Sequence, residues 1–169
     1  MNILGVGAHF DDLELGASGT LAKHVKNGDK VVMAVLTDSG FSKSDGSPIR
    51  DSATALAEGK KAAEIIGAEL ITFDYPTFEV PFDDELSLKL IKIIEEHEID
   101  TVYSHWVHDI HRDHQAAARS CLMAARHVPR FLMYRSNYYD TYDRFRGNFY
   151  SDITDVIDTQ MAAIRAHKS

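Results

Sequence analysis

The chain has 169 residues, 44% hydrophobic and 26% charged, with a formal net charge of −8. That profile describes one soluble globular domain over residues 1–169 and excludes a disordered or fibrous chain. The acidic balance argues against nucleic acid as a partner, since phosphate binding needs a basic face, and no apolar run approaches the roughly 18 residues of a membrane span. The single cysteine, Cys121, has no internal disulfide partner and reads as a buried apolar residue. No basic segment or apolar leader precedes the first strand, so no signal peptide is read and the cytoplasm is the expected location.

Asn2-Ile3-Leu4 opens a first strand that reaches about Gly7, and helical spacing of apolar residues follows from about Leu13 to Lys26. Asn27-Gly28-Asp29 ends that helix. The continuous apolar run Val31 to Leu36 suits a strand buried on both faces. A polar loop from Thr37 to about Arg50 holds little that could pack and reads as a lid or specificity loop. Its first residues, Thr37 to Gly40, are open between pocket wall and plain turn. A helix over Asp51 to Ile66 and a strand at Leu70 to Phe73 come next. The aromatic-rich loop Asp74 to Phe82 leads into a helix from Asp83 to about His97, whose acidic first turn complements the helix dipole. A fourth strand spans Asp100 to Ser104, a helix about Asp113 to Arg126, and a fifth strand Phe131 to Tyr134. A Tyr-rich loop over 137–148, an extended segment over Phe149 to Asp152 and a last helix from Thr154 to His167 complete the chain. This alternation predicts an α/β sandwich around a mostly parallel sheet.

Two polar clusters follow strands one and four. The first is His9-Phe10-Asp11-Asp12-Leu13-Glu14, where a strand hands over to a helix. The second is His105-Trp106-Val107-His108-Asp109-Ile110-His111-Arg112-Asp113-His114. Ligands of open α/β sheets bind outside the carboxyl ends of the strands, so both clusters lie at the functional edge, and strand order decides whether they meet. His9 and Asp12 are three residues apart, as are His111 and His114, so a turn can aim each pair at one point. Brought together, they fit a mononuclear zinc hydrolase: His9, Asp12 and His114 as ligands, with a fourth position for water. Asp11 is then the general base. His111 is the partner that holds an oxyanion or protonates the leaving amine, and Asp113 fixes its tautomer. Asp109 is open between pocket wall, bracing group and solvated loop; on the wall reading it touches substrate. His105 and His108 read as pocket lining, Glu14 as structural and His167 as part of a frayed terminus. Trp106, Tyr75 and Phe78 either stack on a ligand's ring or simply pack.

Ala8-His9-Phe10-Asp11-Asp12-Leu13-Glu14 together with His111-Arg112-Asp113-His114 resembles the PIG-L/LmbE-like family of zinc-dependent N-acetyl-sugar deacetylases, which typically shows A-H-P-D-D-x-E and H-x-D-H. Glu58 to Gly67, Asp152-Ile153-Thr154 and Ala166-His167-Lys168-Ser169 resemble further motifs of that family. The resemblance implies a Rossmann-like three-layer α/β/α sandwich and the same ligands, base and partner. It also implies Zn2+ as cofactor, with Fe2+ or another divalent metal as the alternative. The implied substrate is a small N-acetylated sugar, cut at its amide. Three departures stand out. Phe10 replaces the usual proline. Ala55 occupies a position where the family often has a substrate-binding arginine, for which Arg50 is the substitute. The chain stops where the family usually continues, so it reads as a short member or one whose pocket another subunit completes; a homo-oligomer is expected. The alternatives are a metallophosphoesterase and a catalytically silent binding or assembly module.

Overall fold

In chain order the elements are β1 (Asn2–Gly7), α1 (Asp12–Gly16), α2 (Ser18–Lys26), β2 (Lys30–Thr37), β3 (Phe41–Ser42), β4 (Pro48–Arg50), α3 (Ser52–Ile66), β5 (Glu69–Tyr75), α4 (Asp84–Glu96), β6 (Thr101–His105), α5 (Arg112–Ala124), β7 (Arg130–Tyr134) and α6 (Ile157–Ile164). The computed structural model describes residues 1–139 and 143–169. Asp140, Thr141 and Tyr142 of the expected Tyr-rich loop lie outside these.

Five strands form one parallel sheet in the order β5-β2-β1-β6-β7. Successive side chains of a strand point to opposite faces, so Ile3 and Leu4 enter different apolar layers, as do Met33 and Ala34. One layer gathers Leu21 of α2, Ala62 and Ile66 of α3 and Ala163 of α6. The other gathers Leu86, Leu90 and Ile93 of α4 with Ala117 and Cys121 of α5. The result is the expected three-layer, Rossmann-like arrangement. β1 sits where the order reverses, with β2 on one side and β6 on the other. In such folds the crevice outside the strand ends at that reversal is the binding position. The β1–β6 register pairs Gly5 with Tyr103, which puts the residues after both strands side by side. The two polar clusters therefore meet.

The helices start where their caps dictate. Asp51 accepts the Thr54 N–H at the start of α3 (3.0 Å) and Asp83 the Leu86 N–H at the start of α4 (2.9 Å). Three local expectations change. The first helix is broken at Ala17, whose φ of −143° is not helical. At Gly16, just before the break, the Tyr134 ring lies so close that a side chain there would overlap it. The loop after β2 contains a short antiparallel hairpin, β3–β4. The last helix is a 3-10 turn at Thr154–Val156 followed by α6, which ends at Ile164.

Gly59 sits inside α3, where glycine is less favourable than alanine by about 1 kcal/mol. The buried Phe10 ring explains it: a Cβ on Gly59 would run into that ring. Gly59→Ala is therefore expected to destabilise the protein by roughly 1–3 kcal/mol through overpacking. In a Phe10→Ala background the same change should become neutral or stabilising. Urea denaturation of the four proteins checks this, and additive effects would show that the two residues do not compete for space.

Candidate active site

The segment after β1 is tied down on both sides before any functional side chain is placed. The Ala8 N–H donates to His105 Nε2 (3.0 Å), and the Ala8 carbonyl accepts from the Thr37 N–H (2.9 Å) and Oγ1 (2.8 Å). The Phe10 N–H donates to Ser39 Oγ (2.9 Å), a bond that a proline at this position could not make. Thr37 and Ser39 thus hold the loop from the end of β2. The His9 N–H donates to Asp12 Oδ2 (2.7 Å), which folds the loop back on itself. Asp11, between them, has φ 113°, a left-handed conformation uncommon for a side chain beyond glycine. That turn leaves the Asp11 side chain partly exposed at 41%, while Asp12 goes inward.

His9, Asp12 and His114 converge. His9 Nδ1 is 3.3 Å from Asp12 Oδ2, His114 Nε2 is 3.2 Å from Asp12 Oδ1, and the two ring nitrogens are 3.3 Å apart. Each imidazole has a carboxylate behind it. His9 Nε2 lies 3.0 Å from Asp113 Oδ2. His114 Nδ1 lies 3.3 Å from Asp109 Oδ2, without a well-aligned hydrogen bond. Carboxylates in these positions favour a proton on each outer nitrogen and leave the inner lone pairs facing one another beside an anion. Three acceptors aimed at one point need positive charge there. Protons can supply it: burial works against His9 and His114, but the bonds to Asp113 and Asp12 raise His9 to about 9, and Asp12 and Asp109 raise His114 to about 10. A divalent cation supplies the same charge through the same atoms, and imidazole and carboxylate are the donors zinc takes. The residues fit such an ion.

His105 also reaches Asp12, with Nε2 3.2 Å from Oδ2. It is fully buried and stacks on His114 at 3.9 Å between centroids. Its Nε2 also accepts the Ala8 N–H, so it positions His114 and Asp12. Burial lowers its pKa, against the pull of the Asp12 charge. Burial would raise Asp12, but His105 and His114 outweigh that and hold it well below the usual carboxylate range. Ser136 Oγ adds a hydrogen bond to Asp12 Oδ1 (2.9 Å).

His111 caps α5: its Nδ1 accepts the Asp113 N–H (3.2 Å). Its ring lies 4.8 Å from that of His9 and 4.6 Å from that of His114. Burial, and then the neighbouring imidazoliums, lower it to about 4, so it is neutral with its proton on Nε2. The expectation that the Asp113 carboxylate braces His111 is corrected. That carboxylate serves His9 and receives the N–H groups of Phe78 (2.7 Å) and Val80 (3.3 Å); His111 meets only the Asp113 backbone. Asp109 is buried, and both its oxygens are engaged, by Asn137 Nδ2 at 3.0 and 2.8 Å and by the His111 N–H at 2.8 Å. This places Asp109 behind His114 rather than on an open pocket wall.

Asp11 has the opposite electrostatics from Asp12. Burial and the Asp12 charge raise it to about 6, against the pull of Arg50. Arg50 Nη1 donates to the Phe10 carbonyl (2.9 Å) and Asp11 Oδ2 (3.4 Å), and Nη2 lies 3.3 Å from His167 Nδ1 and 3.5 Å from Glu58. The end of the chain docks here. Glu58 accepts the N–H groups of Lys168 (2.9 Å) and Ser169 (3.2 Å), and His167 Nε2 is 3.5 Å from the buried Glu14. His167 is thus held beside the site, not in a frayed terminus. Ser136 and the hold of Asn137 on Asp109 went unread in the sequence, whereas the tail was read only through its resemblance to a family motif. The signal of Ser136 and Asn137 was position alone: polar residues directly after β7, at the same edge of the sheet as the other two clusters.

Residues 4–125 match the PIG-L family, described as GlcNAc-PI de-N-acetylase. The chain belongs to the PIG-L family. It is 28% identical to diacetylchitobiose deacetylase of Thermococcus kodakarensis over 99% of this chain and 69% of the relative. It is 30% identical to the uncharacterized deacetylase YaiS of Escherichia coli K12 over 99% and 90% of the two chains. Among solved structures, GalB of Pseudomonas putida KT2440, a 4-carboxy-2-hydroxymuconate hydratase, aligns with a TM-score of 0.77 at 23% identity, covering 98% of this chain and 78% of that one. That likeness concerns the fold, which therefore does not choose the reaction; the residues of this PIG-L chain must.

The Asn137 amide is the main side-chain donor to Asp109. Asn137→Ala should cost roughly 1–3 kcal/mol, the penalty for stripping a buried acceptor of its donor. Asn137→Asp should cost more, since two carboxylates would then face each other. Denaturation of the metal-free protein measures both, and a loss of only a few tenths for either would show that Asp109 is held by something else.

Proposed function

We propose that this PIG-L chain removes the N-acetyl group from an N-acetylglucosamine-type sugar or glycoconjugate, using a divalent metal, zinc first, held by His9, Asp12 and His114. The observation that carries the reading is the pair of carboxylate-backed imidazoles whose inner nitrogens stand within 3.3 Å of each other and of Asp12. When bound, the ion supplies Lewis-acid polarisation of the amide carbonyl and makes a water acidic near neutral pH.

The remaining chemistry belongs to the chain. Asp11 takes the proton that attacking water loses at a carboxylate oxygen and returns it to the departing amine nitrogen. Its pKa of about 6 suits both halves of that transfer. The His111 Nε2–H donates to the oxyanion that develops from the carbonyl oxygen, as a neutral donor that adds no charge of its own. Arg50 steadies Asp11 and the Phe10 carbonyl, so any contact it makes to substrate oxygens is additional to that task. Asp109 and Asp113 hold the tautomers of His114 and His9. No helix among the described residues is long and apolar enough to cross a membrane. The expected homo-oligomer draws support from aromatic surface near the β7 edge, where Tyr138, Phe149 and Tyr150 are exposed.

Freed amine should appear from members of a panel of N-acetylglucosamine, diacetylchitobiose, nucleotide sugars and N-acetylated glycosides. About one metal per chain is expected by elemental analysis, whereas two would favour a phosphoesterase. Asp11→Asn should keep the metal and lower kcat roughly 100- to 10,000-fold. His114→Ala should lose the metal, and Asp113→Ala should weaken its binding about 10- to 100-fold. Parent-level turnover in Asp11→Asn would remove the assigned base.

A further inference from the structure

Phe78 occupies a position that its own backbone disfavours. The Glu79 N–H closes a turn on the Pro76 carbonyl (3.0 Å), and Phe78, third residue of that turn, has φ 73°. Such turns call for glycine or asparagine there, because a bulky side chain at positive φ is strained by roughly 1–3 kcal/mol. Thr77, in the same turn, has a buried Oγ1 with no hydrogen-bond partner.

The strain holds one aromatic ring in a particular place. The Phe78 N–H donates to Asp113 Oδ2 (2.7 Å), the same oxygen that meets His9. The Phe78 carbonyl accepts from the Arg112 guanidinium. Anchored at both ends, the ring lies parallel to His111 (5.4 Å, 20°), with Phe41 of the β3–β4 hairpin edge-on at 5.5 Å and the Arg112 guanidinium 5.8 Å from its centroid. The ring is still 40% exposed and Phe41 39%. A phenyl ring that existed only to fill space would be buried. This one forms an apolar wall beside the imidazole assigned to the developing oxyanion.

We propose that Phe78 is a specificity-determining residue: its ring is the wall against which the carbon-bearing face of an acetamido-pyranose packs, which sets the amide beside His111. The inference rests on the deacetylase reading for the identity of the sugar. It adds the subsite that separates a pyranose-borne acetamide from other amides.

Glycine fits φ 73° and keeps the N–H that Asp113 receives, so Phe78→Gly separates binding from stability. Its melting temperature, without substrate, should equal or exceed the parent's. Its affinity for N-acetylglucosamine and for glucosamine, measured by calorimetry on the metal-loaded protein, should fall about tenfold. Where turnover is measurable, KM should rise by that factor and kcat should fall as well, since the amide is no longer set beside His111. Phe78→Tyr, which retains a ring, should keep the parent affinity. Sugar affinity unchanged in Phe78→Gly, or lost equally in Phe78→Tyr, would overturn the subsite. A melting temperature several degrees lower in Phe78→Gly, or failure to fold, would overturn the claim that the turn bears strain for function. If the parent releases no amine from any sugar, the deacetylase reading fails, while binding and melting still decide the role of Phe78.

Discussion

A buried negative charge organises this molecule. Asp12 is almost wholly enclosed and ionised, with His105 and His114 against its two oxygens and the His9 N–H on one of them. An enclosed carboxylate is tolerable only where donors and positive charge surround it. The surrounding segments each contribute to that requirement. The loop after β1 delivers His9, the end of β6 delivers His105, the first turn of α5 delivers His114, and the segment after β7 delivers Ser136. Asp109 and Asp113 then balance the imidazoles from outside. Removing Asp12, Asp109 or Asp113 would leave a buried imidazole without its counterpart carboxylate, so these acids are costly to replace.

Topology makes the network possible. Only at the reversal of strand order do the ends of two parallel strands lie side by side with their following loops diverging, one toward each helical layer. β1 and β6 occupy that reversal, so the loop toward α1 and the loop toward α5 face each other across one crevice. Phe10 and Gly59 reinforce the placement from a distance. The ring fills the space a side chain on α3 would need, which locks the backbone of the loop after β1 against that helix without using any polar group.

The strands, the helices and the two polar clusters were legible because they rest on local signals: apolar periodicity, turn residues and acids at helix starts. That the clusters meet depends on strand order, which no local stretch encodes. The partner of Asp113 was misread for a related reason. Sequence proximity suggested His111, two residues away, yet His111 is the extended cap residue and Asp113 is already helical, so their side chains diverge and Asp113 reaches across to β1's loop. His105 read as lining, although it is fully buried at the end of β6 and accepts the Ala8 N–H. The break at Ala17, the docked tail and the strained turn at Phe78 are all set by contacts with distant residues or by a local conformation that the residue type argues against.

Asp11 and Asp12 show how one backbone angle assigns chemistry. The two are adjacent and of the same type, yet Asp12 is held well below the usual carboxylate range and Asp11 is raised to about 6. The difference begins at φ 113° of Asp11, which turns its side chain away from the imidazoles and toward solvent and Arg50. Asp12 gains the imidazoles; at Asp11, burial and the charge of Asp12 outweigh the pull of Arg50. A pair of acids whose surroundings push their proton affinities apart is the pattern by which one carboxylate stays anionic while its neighbour exchanges protons near neutral pH. Each needs the other: without the Asp12 charge Asp11 would be the weaker base, and without the turn at Asp11 both would compete for the same imidazoles.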